Sequence, residues 1–486
     1  MIEFRDVTFF YGEETAPSVD GVSLKIDKGE TVVLCGESGC GKSTMTRLIN
    51  GLIPHFHEGK LGGEVLYDGK RTMDMRLYEL SEHVGSVFQD PRTQFYNVES
   101  TVELAFGCEN LGVPPEEIEQ RITRTATRFG LEELLDRNLF AMSGGEKQRI
   151  ACGSVDATNP ETLVLDEPSS NLDLFAIHDL AQVVQRWRDD GKTLVIAEHR
   201  IFYLVDLADR FIYIRDGRIE REFRPDELRT LSPEALEDLG LRAPDPWKLA
   251  PRAEARGSGE SLSLRSLKCI TRGRRRLSIP ELTLPRGEII AVIGRNGAGK
   301  TTLARTLCGL EKTGSGVLGI DGATHDIRKR RDLVYMVMQD VNHQLFTEDV
   351  ISELLLSMDG TDPDAEQKRA MEILRSLDLD DKSGRHPMSL SGGEQQRVAI
   401  GSAIAAGREI LILDEPTSGL DHKRMTQVAD YLTAMSADGK TVLVITHDIE
   451  LVLRCCSHAI YLVDGEIAQK SRMDETGAQQ LREFFE

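Results

Sequence analysis

One nine-residue pattern occurs twice in this chain, and no other feature constrains its fold as strongly. GESGCGKST contains Lys42, and GRNGAGKTT contains Lys300. Matched residues follow both copies in the same order: Gln89 and Gln339, Ser143 and Ser391, Asp166 and Asp414, His199 and His447. Each copy is long enough to bury a core of its own, so the repeat is a duplicated domain rather than a short-period array.

The join between the copies is marked by proline and glycine. Pro225, Pro244, Pro246 and Pro251 lie there, followed by a Gly-Ser-Gly sequence at 257–259. Such residues punctuate regular structure and are typical of linkers. The predicted organisation is therefore a first domain at 1–222, a linker at 223–260 and a second domain at 261–486. A short insertion at about 55–60 of the first copy is predicted to be a loop.

Apolar, β-branched runs lie immediately before the duplicated motifs. Residues 30–35 and 288–293 are predicted strands that lead into the glycine-rich patterns, and helices should begin at Lys42 and Lys300. The other predicted strands end at the acidic residues or at the histidines: 162–165, 193–197, 409–413 and 441–446. Between the glutamines and Ser143 or Ser391 the pattern is helical. The sequence thus predicts, twice, an α/β core with an inserted helical subdomain.

The two glycine-rich patterns match G-x-x-x-x-G-K-[ST], which binds phosphate when it joins a strand to a helix. Glycines let backbone N–H groups converge on phosphate oxygens, and the lysine reaches the terminal phosphates. The predicted cofactors are ATP and Mg²⁺. The residues expected around ATP are Gly36, Glu37, Ser38, Gly39, Cys40, Gly41, Lys42, Ser43 and Thr44, and Gly294, Arg295, Asn296, Gly297, Ala298, Gly299, Lys300, Thr301 and Thr302.

An Asp-Glu pair follows an apolar strand in each copy. Carboxylates, hydroxyls and amide oxygens suit Mg²⁺, so the predicted metal-binding residues are Ser43, Gln89 and Asp166, and Thr301, Gln339 and Asp414. Glu167 and Glu415 come next, and adjacent strand residues point to opposite sides. One acid can then serve the metal while the next polarises the attacking water. The predicted catalytic residues are Glu167, His199, Glu415 and His447, each histidine orienting that water beside the γ-phosphate.

A second phosphate-binding element is predicted in each copy. Serine caps helix N-termini, where backbone N–H groups also attract anions. The residues concerned are Ser143, Gly144, Gly145 and Glu146, and Ser391, Gly392, Gly393 and Glu394. Each copy already has its own glycine-rich pattern. We therefore expect this element to face the nucleotide held by the other copy, although helix capping alone would also explain the serine.

The ordered set of motifs resembles the ATP-binding-cassette family across nearly the whole chain. The resemblance implies ATPase activity and a head-to-tail arrangement, pairing Lys42 and Glu167 with Ser391, and Lys300 and Glu415 with Ser143. QDPRTQFY at 89–96, TVELAFG at 101–107 and QDVNHQLF at 339–346 are similar to ATPases of energy-coupling factor transporters. That narrower resemblance implies import of vitamins or transition-metal ions through a transmembrane coupling protein and a substrate-binding membrane protein.

The two copies differ at the position where the family places an adenine-stacking aromatic residue. Tyr11 fits that role in the first copy, and core packing is the alternative explanation. The second copy has Ile270-Thr271-Arg272-Gly273 there, with no aromatic residue. The guanidinium of Arg272 can stack on a base, or adenine binding is weaker in that copy.

Charge, cysteine content and hydropathy limit the classes of partner that we expect for this chain. The formal net charge is −21, which disfavours a general nucleic-acid binder, because phosphate contacts need basic side chains. None of the eight cysteines forms a C-x-x-C pair, and no run of residues is apolar enough to cross a membrane. We therefore expect a peripheral location at the cytoplasmic membrane face, reached through partners alone. The alternatives are the ATPase of another importer, such as a sugar importer, and a double-cassette ATPase acting on ribosomes.

The segments after Gln89 and Gln339 are the candidate contact with such a partner. Phe95, Tyr96, Leu345 and Phe346 place apolar side chains there. Amphipathic helices of a membrane protein can dock on such side chains. The alternative is that these residues only pack the helical subdomain onto the core.

Overall fold

The computed structural model describes residues 1–252, 261–271, 274–320, 322–326, 329–360 and 362–485. The chain forms two compact units. The first contains Met1–Pro246 together with Gly419–Lys423, and the second contains Trp247–Ser418 and Arg424–Glu486. Each unit combines an antiparallel sheet, a mostly parallel sheet and a helical subdomain. This confirms the predicted fold class of two successive α/β domains.

The first unit carries these strands and α-helices in chain order: β1 (Ile2–Tyr11), β2 (Val19–Ile26), β3 (Thr31–Cys35), α1 (Lys42–Ile49), α2 (Leu52–His55), β4 (Gly59–Tyr67), β5 (Lys70–Arg71), α3 (Leu77–Ser81), β6 (Val84–Val87), α4 (Ser100–Asn110), α5 (Pro115–Phe129), α6 (Gly144–Thr158), β7 (Thr162–Asp166), α7 (Leu174–Asp189), β8 (Thr193–Ala197), β9 (Arg210–Arg215), β10 (Arg218–Phe223), α8 (Pro225–Arg229) and α9 (Pro233–Asp238).

Its six-stranded sheet has the order β10-β9-β3-β8-β7-β6, parallel except for β10. Both faces of β3 are covered, which explains its continuous apolar run. Val32 and Leu34 pack toward the four-stranded sheet β2-β1-β4-β5, whereas Val33 and Cys35 join the core that includes the helices. The period-two alternation of β3 thus builds two cores from one strand.

The second unit repeats this plan with these elements: β11 (Ser261–Thr271), β12 (Arg274–Pro285), β13 (Ile289–Ile293), α10 (Lys300–Leu307), β14 (Ser315–Ile320), β15 (Ala323–His325), α11 (Arg330–Leu333), β16 (Val334–Val337), α12 (Val350–Leu356), α13 (Pro363–Ser376), α14 (Gly392–Ala406), β17 (Ile410–Asp414), α15 (His422–Ala437), β18 (Thr441–Ile445), α16 (Ile449–Cys455), β19 (His458–Val463), β20 (Glu466–Arg472) and α17 (Glu475–Phe485). Its six-stranded sheet, β20-β19-β13-β18-β17-β16, has the same strand order as that of the first unit.

The helical subdomain lies between β6 and β7 in the first unit and between β16 and β17 in the second, as predicted. Local sequence explains the bounds of α5. Pro115 occupies its first turn, Gly130 ends it with φ 63°, and Ile118, Ile122 and Phe129 face the core at helical spacing. The helix therefore buries one stripe and leaves its charged residues on the surface.

Two predictions about connecting segments differ from the structure. The segment after β10, predicted to be linker, packs α8 and α9 onto the first unit and buries Leu228, Leu236 and Leu241. Proline marks helix starts there, so it punctuates folded structure, and residues 253–260 lie outside the described residues. The insertion at 55–60 is only partly a loop, because β4 begins at Gly59, which pairs with Tyr11.

Candidate functional site

The candidate site of each unit lies at the carboxyl edge of its parallel sheet. In the first unit, β3 leads into the glycine-rich loop, β7 into Glu167, β8 into His199 and β6 into Gln89. These strands are neighbours in the sheet, so their carboxyl ends bring the four segments together. The second unit places Gly294, Gln339, Glu415 and His447 after the equivalent strands. Residues that are far apart in the sequence thus meet because of strand order.

The glycine-rich loops have a backbone that only glycine adopts easily. Gly41 and Gly299 have φ of 109° and 104°, and a Cβ on Gly41 would lie 2.4 Å from the Ser18 carbonyl oxygen. Lys42 Nζ donates to the Gly36 and Glu37 carbonyl oxygens at 3.0 and 2.9 Å. Lys300 Nζ donates to the Gly294 oxygen at 2.7 Å. Each ammonium group is therefore held inside its loop, where it can meet a phosphate.

A hydroxyl and a carboxylate converge beside each lysine. Ser43 Oγ donates to Asp166 Oδ1, and Thr301 Oγ1 donates to Asp414 Oδ2, both at 2.8 Å. Burial raises the pKa of both aspartates, while the hydroxyl hydrogen bonds oppose the shift. A cation would relieve that burial cost, so these oxygen donors fit Mg²⁺.

Among the described residues, acidic, histidine and cysteine side chains do not form a metal centre by themselves. Within the described ranges, no cluster of three or more of them is placed to hold a metal ion. A magnesium ion at these positions would therefore also use hydroxyl, amide and phosphate oxygens. The ion would neutralise phosphate charge, and Ser43 and Asp166, or Thr301 and Asp414, would hold it.

The side chain of Glu167 points away from that of Asp166 because of a left-handed backbone conformation that was not predicted from the sequence. Glu167 lies beyond the end of β7 with φ 44°, and Glu415 has φ 51°, so strand alternation does not separate the two acids. Gln89 Nε2 donates to Glu167 Oε2 at 2.8 Å, and His199 Nε2 lies 3.3 Å from Oε1. This left-handed turn aims the glutamate at the glutamine and the histidine.

The charge environment keeps Glu167 ionised. Burial alone would raise its pKa, but the His199 hydrogen bond and the charges of His199 and Lys42 lower the pKa below its ordinary value. In the second unit, His447 Nε2 lies 3.3 Å from Glu415 Oε1 and 2.9 Å from Lys300 Nζ. A carboxylate of this kind can accept a hydrogen bond from water and polarise it.

Comparison with known proteins identifies the family. The family model described as ABC transporter matches residues 19–170 and 277–418, which is more than half of the chain. The chain belongs to the ABC transporter family. It is 41% identical to a Treponema denticola protein provisionally named an ABC transporter ATP-binding protein, with 97% of each chain covered. A Methanosarcina mazei protein with the same provisional name is 33% identical, over 96% of this chain and 88% of that protein.

A solved structure of comparable architecture supports the fold alone. The model of ribosome-bound archaeal Pelota and ABCE1 has a TM-score of 0.71 at 23% identity, covering 99% of this chain and 80% of that one. The family and its ATP-binding relatives establish that the chain is an ATPase with two ABC cassettes. ABC ATPase cassettes bind ATP, typically with Mg²⁺.

The SGGE elements of both cassettes begin helices, as predicted. Ser143 precedes α6, and its Oγ accepts the Glu146 N–H at 3.3 Å while its own N–H donates to Glu146 at 2.7 Å. The Ser391 N–H donates to Glu394 Oε2 at 2.8 Å at the start of α14. Burial opposes the change, but the Lys382 ion pair and the Ser391 hydrogen bonds lower the pKa of Glu394 to about 2. Both serines lie at helix N-termini, where they can meet a phosphate.

Tyr11 of the first cassette lies half-buried at the end of β1. Its ring meets Phe9 edge-on at a centroid distance of 4.9 Å, and Arg47 Nη1 donates to its hydroxyl at 2.9 Å. Thr44 Oγ1 is 3.3 Å from the same hydroxyl, so the ring lies close to the phosphate-loop helix. Adenine stacking by Tyr11 stays a prediction. Arg272, the residue proposed for the second cassette, lies outside the described residues.

We expect Tyr11→Ala to weaken ATP binding in the first cassette. Base–aromatic stacking contributes about 1–3 kcal/mol, which corresponds to about 5- to 150-fold in Kd. Titration of a Lys300→Ala chain with ATP isolates that cassette, and Tyr11→Phe is the matched control because it keeps the ring. Arg272→Ala should matter less in a Lys42→Ala chain. An unchanged first-cassette affinity in Tyr11→Ala would assign the ring to core packing.

Two other groups at the first site were not predicted from the sequence. Asp421, in the 419–423 segment of the first unit, accepts a hydrogen bond from the Ser38 N–H at 2.8 Å. Glu198, 2% exposed, accepts hydrogen bonds around His199. The residue beside His199 differs between the two copies (Glu198 in the first, Thr446 in the second), and this difference was the available signal.

Proposed function

We propose that this chain energises a membrane importer of the energy-coupling factor type, taking up a vitamin or a transition-metal ion. ATP hydrolysis would take place at two composite sites, each joining the phosphate loop of one cassette to the SGGE serine of the other. Transmembrane coupling and substrate-binding proteins would be the partners. ABC ATP-binding components usually work at the cytoplasmic membrane face, and among the described residues no helix is long and apolar enough to cross a membrane.

The observation that carries this proposal is a pair of exposed aromatic side chains after Gln89 and Gln339. Tyr96 is 77% exposed and Phe346 is 73% exposed. Exposed apolar side chains that group into a patch mark binding surfaces, and the Tyr96 ring stacks on Phe106 at a centroid distance of 4.9 Å. Phe95 instead packs against the core and Leu345 is 3% exposed. The packing alternative therefore holds for Phe95 and Leu345, and the proposed docking residues are Tyr96 and Phe346.

In both cassettes, a buried glutamate accepts hydrogen bonds from the loop that carries the exposed aromatic residue. Glu103 Oε2, from α4, accepts the N–H groups of Tyr96 and Asn97 at 3.1 and 2.8 Å. Glu353 Oε2, from α12, accepts those of Phe346 and Thr347 at 3.1 and 3.0 Å. Glu103 and Glu353 are nearly fully buried, so each loop is fixed to the first helix of its subdomain.

The link to the hydrolysis site is short. Gln89 donates to Glu167, and the exposed Tyr96 follows Gln89 by seven positions in the sequence QDPRTQFY. Within that loop Gln94 Oε1 accepts the Phe88 N–H at 3.3 Å, and Gln344 Oε1 accepts the Met338 N–H at 3.1 Å in the second cassette. In the first cassette, a change at Glu167 can therefore reach Tyr96 through Gln89 and a loop that hydrogen bonds hold at both ends.

Replacement of the docking residues tests the proposal. Tyr96→Glu and Phe346→Glu should each weaken recruitment to membranes at least about tenfold, because a carboxylate would be desolvated in an apolar contact. ATP binding by the isolated chain should be unchanged. Tyr78→Glu is the matched control, since Tyr78 is also an exposed aromatic residue but lies on α3, outside the helical subdomain.

Recruitment is measured as the fraction of chain that co-purifies with membrane protein from the source membranes, after an unchanged thermal transition has shown that each variant folds. Folded Tyr96→Glu and Phe346→Glu chains that still co-purify with the membrane protein and still drive uptake would exclude these residues as the coupling surface.

A further inference from the structure

The carboxylate of Glu198 joins two loops of the first cassette that carry reacting groups. Its Oε1 accepts the N–H groups of His199 and Arg200 at 2.7 and 3.1 Å. Its Oε2 accepts the Ser169 N–H at 3.3 Å and the Tyr203 hydroxyl at 2.9 Å. Ser169 follows Glu167 by two residues, so one buried side chain ties the histidine loop to the glutamate loop.

The second cassette makes the same connection with a different residue. Asp448, which follows His447, accepts the Thr417 hydroxyl at 2.8 Å on Oδ2. Its N–H donates to Thr446 Oγ1 at 3.0 Å, and its Oδ1 accepts the Leu451 N–H that begins α16. Thr417 follows Glu415 by two residues, as Ser169 follows Glu167. Asp448 is 4% exposed, and Glu198 is buried to a similar degree.

The buried carboxylate therefore occupies different sequence positions in the two cassettes, but it joins the same two loops in both. The two cassettes align without gaps here, so Glu198 corresponds to Thr446 and Arg200 to Asp448. The buried acid precedes the histidine in the first cassette (Glu198) and follows it in the second (Asp448). Two unrelated placements of a buried carboxylate across the same pair of loops indicate a requirement for the connection itself.

We propose that Glu198 is a positioning residue for ATP hydrolysis in the first cassette, equivalent in role to Asp448 in the second. By fixing both loops, it sets the 3.3 Å separation between His199 Nε2 and Glu167 Oε1. The proposal rests on the proposed role of Glu167 in polarising water. Lys42 and Ser43 are held by other contacts, so ATP binding should not depend on Glu198.

Threonine at 198 replaces only part of these contacts. Its hydroxyl can accept the Arg200 N–H, as Thr446 Oγ1 accepts the Asp448 N–H, but the N–H groups of His199 and Ser169 lose their acceptor in a buried place. Burying such groups unpaired is unfavourable, so the two loops should move apart or admit water. Hydrolysis needs His199 and Glu167 within hydrogen-bond reach of one water molecule, and it should slow accordingly.

Moving the acid tests the proposal directly. In a full-length chain that carries Glu415→Gln, Glu198→Thr should lower kcat about tenfold and leave the Kd for ATP within about twofold. The double variant Glu198→Thr/Arg200→Asp reproduces the acid placement of the second cassette, and Ser169 already supplies a hydroxyl. We expect this double variant to recover turnover to within about threefold of the Glu415→Gln parent.

Asp156→Asn is the matched control that distinguishes a loss of thermal stability from a loss of catalytic positioning. Asp156 is also a buried carboxylate, but it accepts hydrogen bonds from Thr125 and Trp187 between helices of the same unit. Its replacement should lower the thermal midpoint without slowing turnover at a temperature where the chain is folded. A Glu198→Thr chain should instead slow turnover with its thermal midpoint above the assay temperature.

Trapping of Mg²⁺, ADP and aluminium fluoride gives a second readout that does not need turnover. Glu198→Thr should trap this complex in the first cassette at least about tenfold less, and the double variant should restore trapping. If the Glu415→Gln parent has too little turnover to compare variants, trapping alone decides the role of Glu198. Normal turnover or trapping in Glu198→Thr, or a double variant as impaired as the single one, would overturn the proposal.

Discussion

Replacing either Glu167 or Glu415 by glutamine should lower steady-state ATP turnover sharply. Replacing both should lower it about 100-fold or more. An amide keeps the shape of the side chain but cannot polarise water as a carboxylate does. ATP binding should be preserved, because Lys42 and Lys300 hold their loops without these glutamates. We expect the double variant to accumulate in a closed state loaded with ATP.

The control for this pair is Glu161→Gln. Glu161 lies just before β7, at the opposite end from Glu167, and forms an exposed ion pair with Lys28. Exposed ion pairs contribute little, so turnover should be unchanged. Turnover and ATP affinity are measured on the chain assembled with its membrane partners. Wild-type turnover in either single glutamine variant would show that the two sites are not equally competent.

Arginine at the SGGE serines should abolish ATP binding in the opposite cassette. On the proposed head-to-tail pairing, Ser391→Arg disrupts ATP held by Lys42, and Ser143→Arg disrupts ATP held by Lys300. Both serines cap helices, so a bulky cation there removes a hydroxyl and blocks the N–H groups that would meet the γ-phosphate. The affinity of the opposite cassette for ATP should fall at least about 100-fold, because the substitution removes donors to the γ-phosphate and fills the space beside it.

Photo-crosslinking of an ATP analogue, followed by cleavage between the cassettes, shows which phosphate loop is labelled. We expect Ser391→Arg to remove label from the peptide containing Lys42 and to spare the one containing Lys300. Ser391→Ala, which removes the hydroxyl without adding bulk, is the matched control and should reduce labelling less. Loss of label in the same cassette as the substitution would contradict the head-to-tail pairing.

The elements that carry the site could be predicted from the sequence because their signals are local. β3 and β13 are runs of apolar residues that end at glycine, and α1 and α10 begin at the lysines where the pattern places them. Ser143 and Ser391 have their capping glutamates three residues later, which marks a helix start without tertiary information. The duplication strengthened each signal, because a chance match does not recur in register.

Other parts of the site depend on contacts that no local pattern reports. Glu198 bonds to Ser169, which lies 29 residues away in the sequence and is adjacent only because β7 and β8 are neighbours. The left-handed turn at Glu167 is also set by tertiary contacts, among them its N–H bond to the Ala197 oxygen.

The sequence predicts a linker at 223–260 because proline and glycine punctuate this stretch and no strong core pattern runs through it. Residues 223–241 nevertheless contain five leucines. Leu228, Leu236 and Leu241 lie in the core of the first unit, and Leu231 and Leu239 pack against it. Helices as short as α8 and α9 have weak periodicity, so their stability comes from packing rather than from sequence pattern.

Identification of the proteins that co-purify with the chain tests the central claim most directly. The chain, tagged and recovered from detergent-solubilised cells, should bring down a multi-span membrane protein in a stable complex, and Tyr96→Glu/Phe346→Glu should lose it while Tyr78→Glu keeps it. ATP-dependent uptake by the recovered complex in vesicles should then disappear in Glu167→Gln/Glu415→Gln. Recovery of ribosomal proteins and RNA in place of a membrane protein would contradict the account.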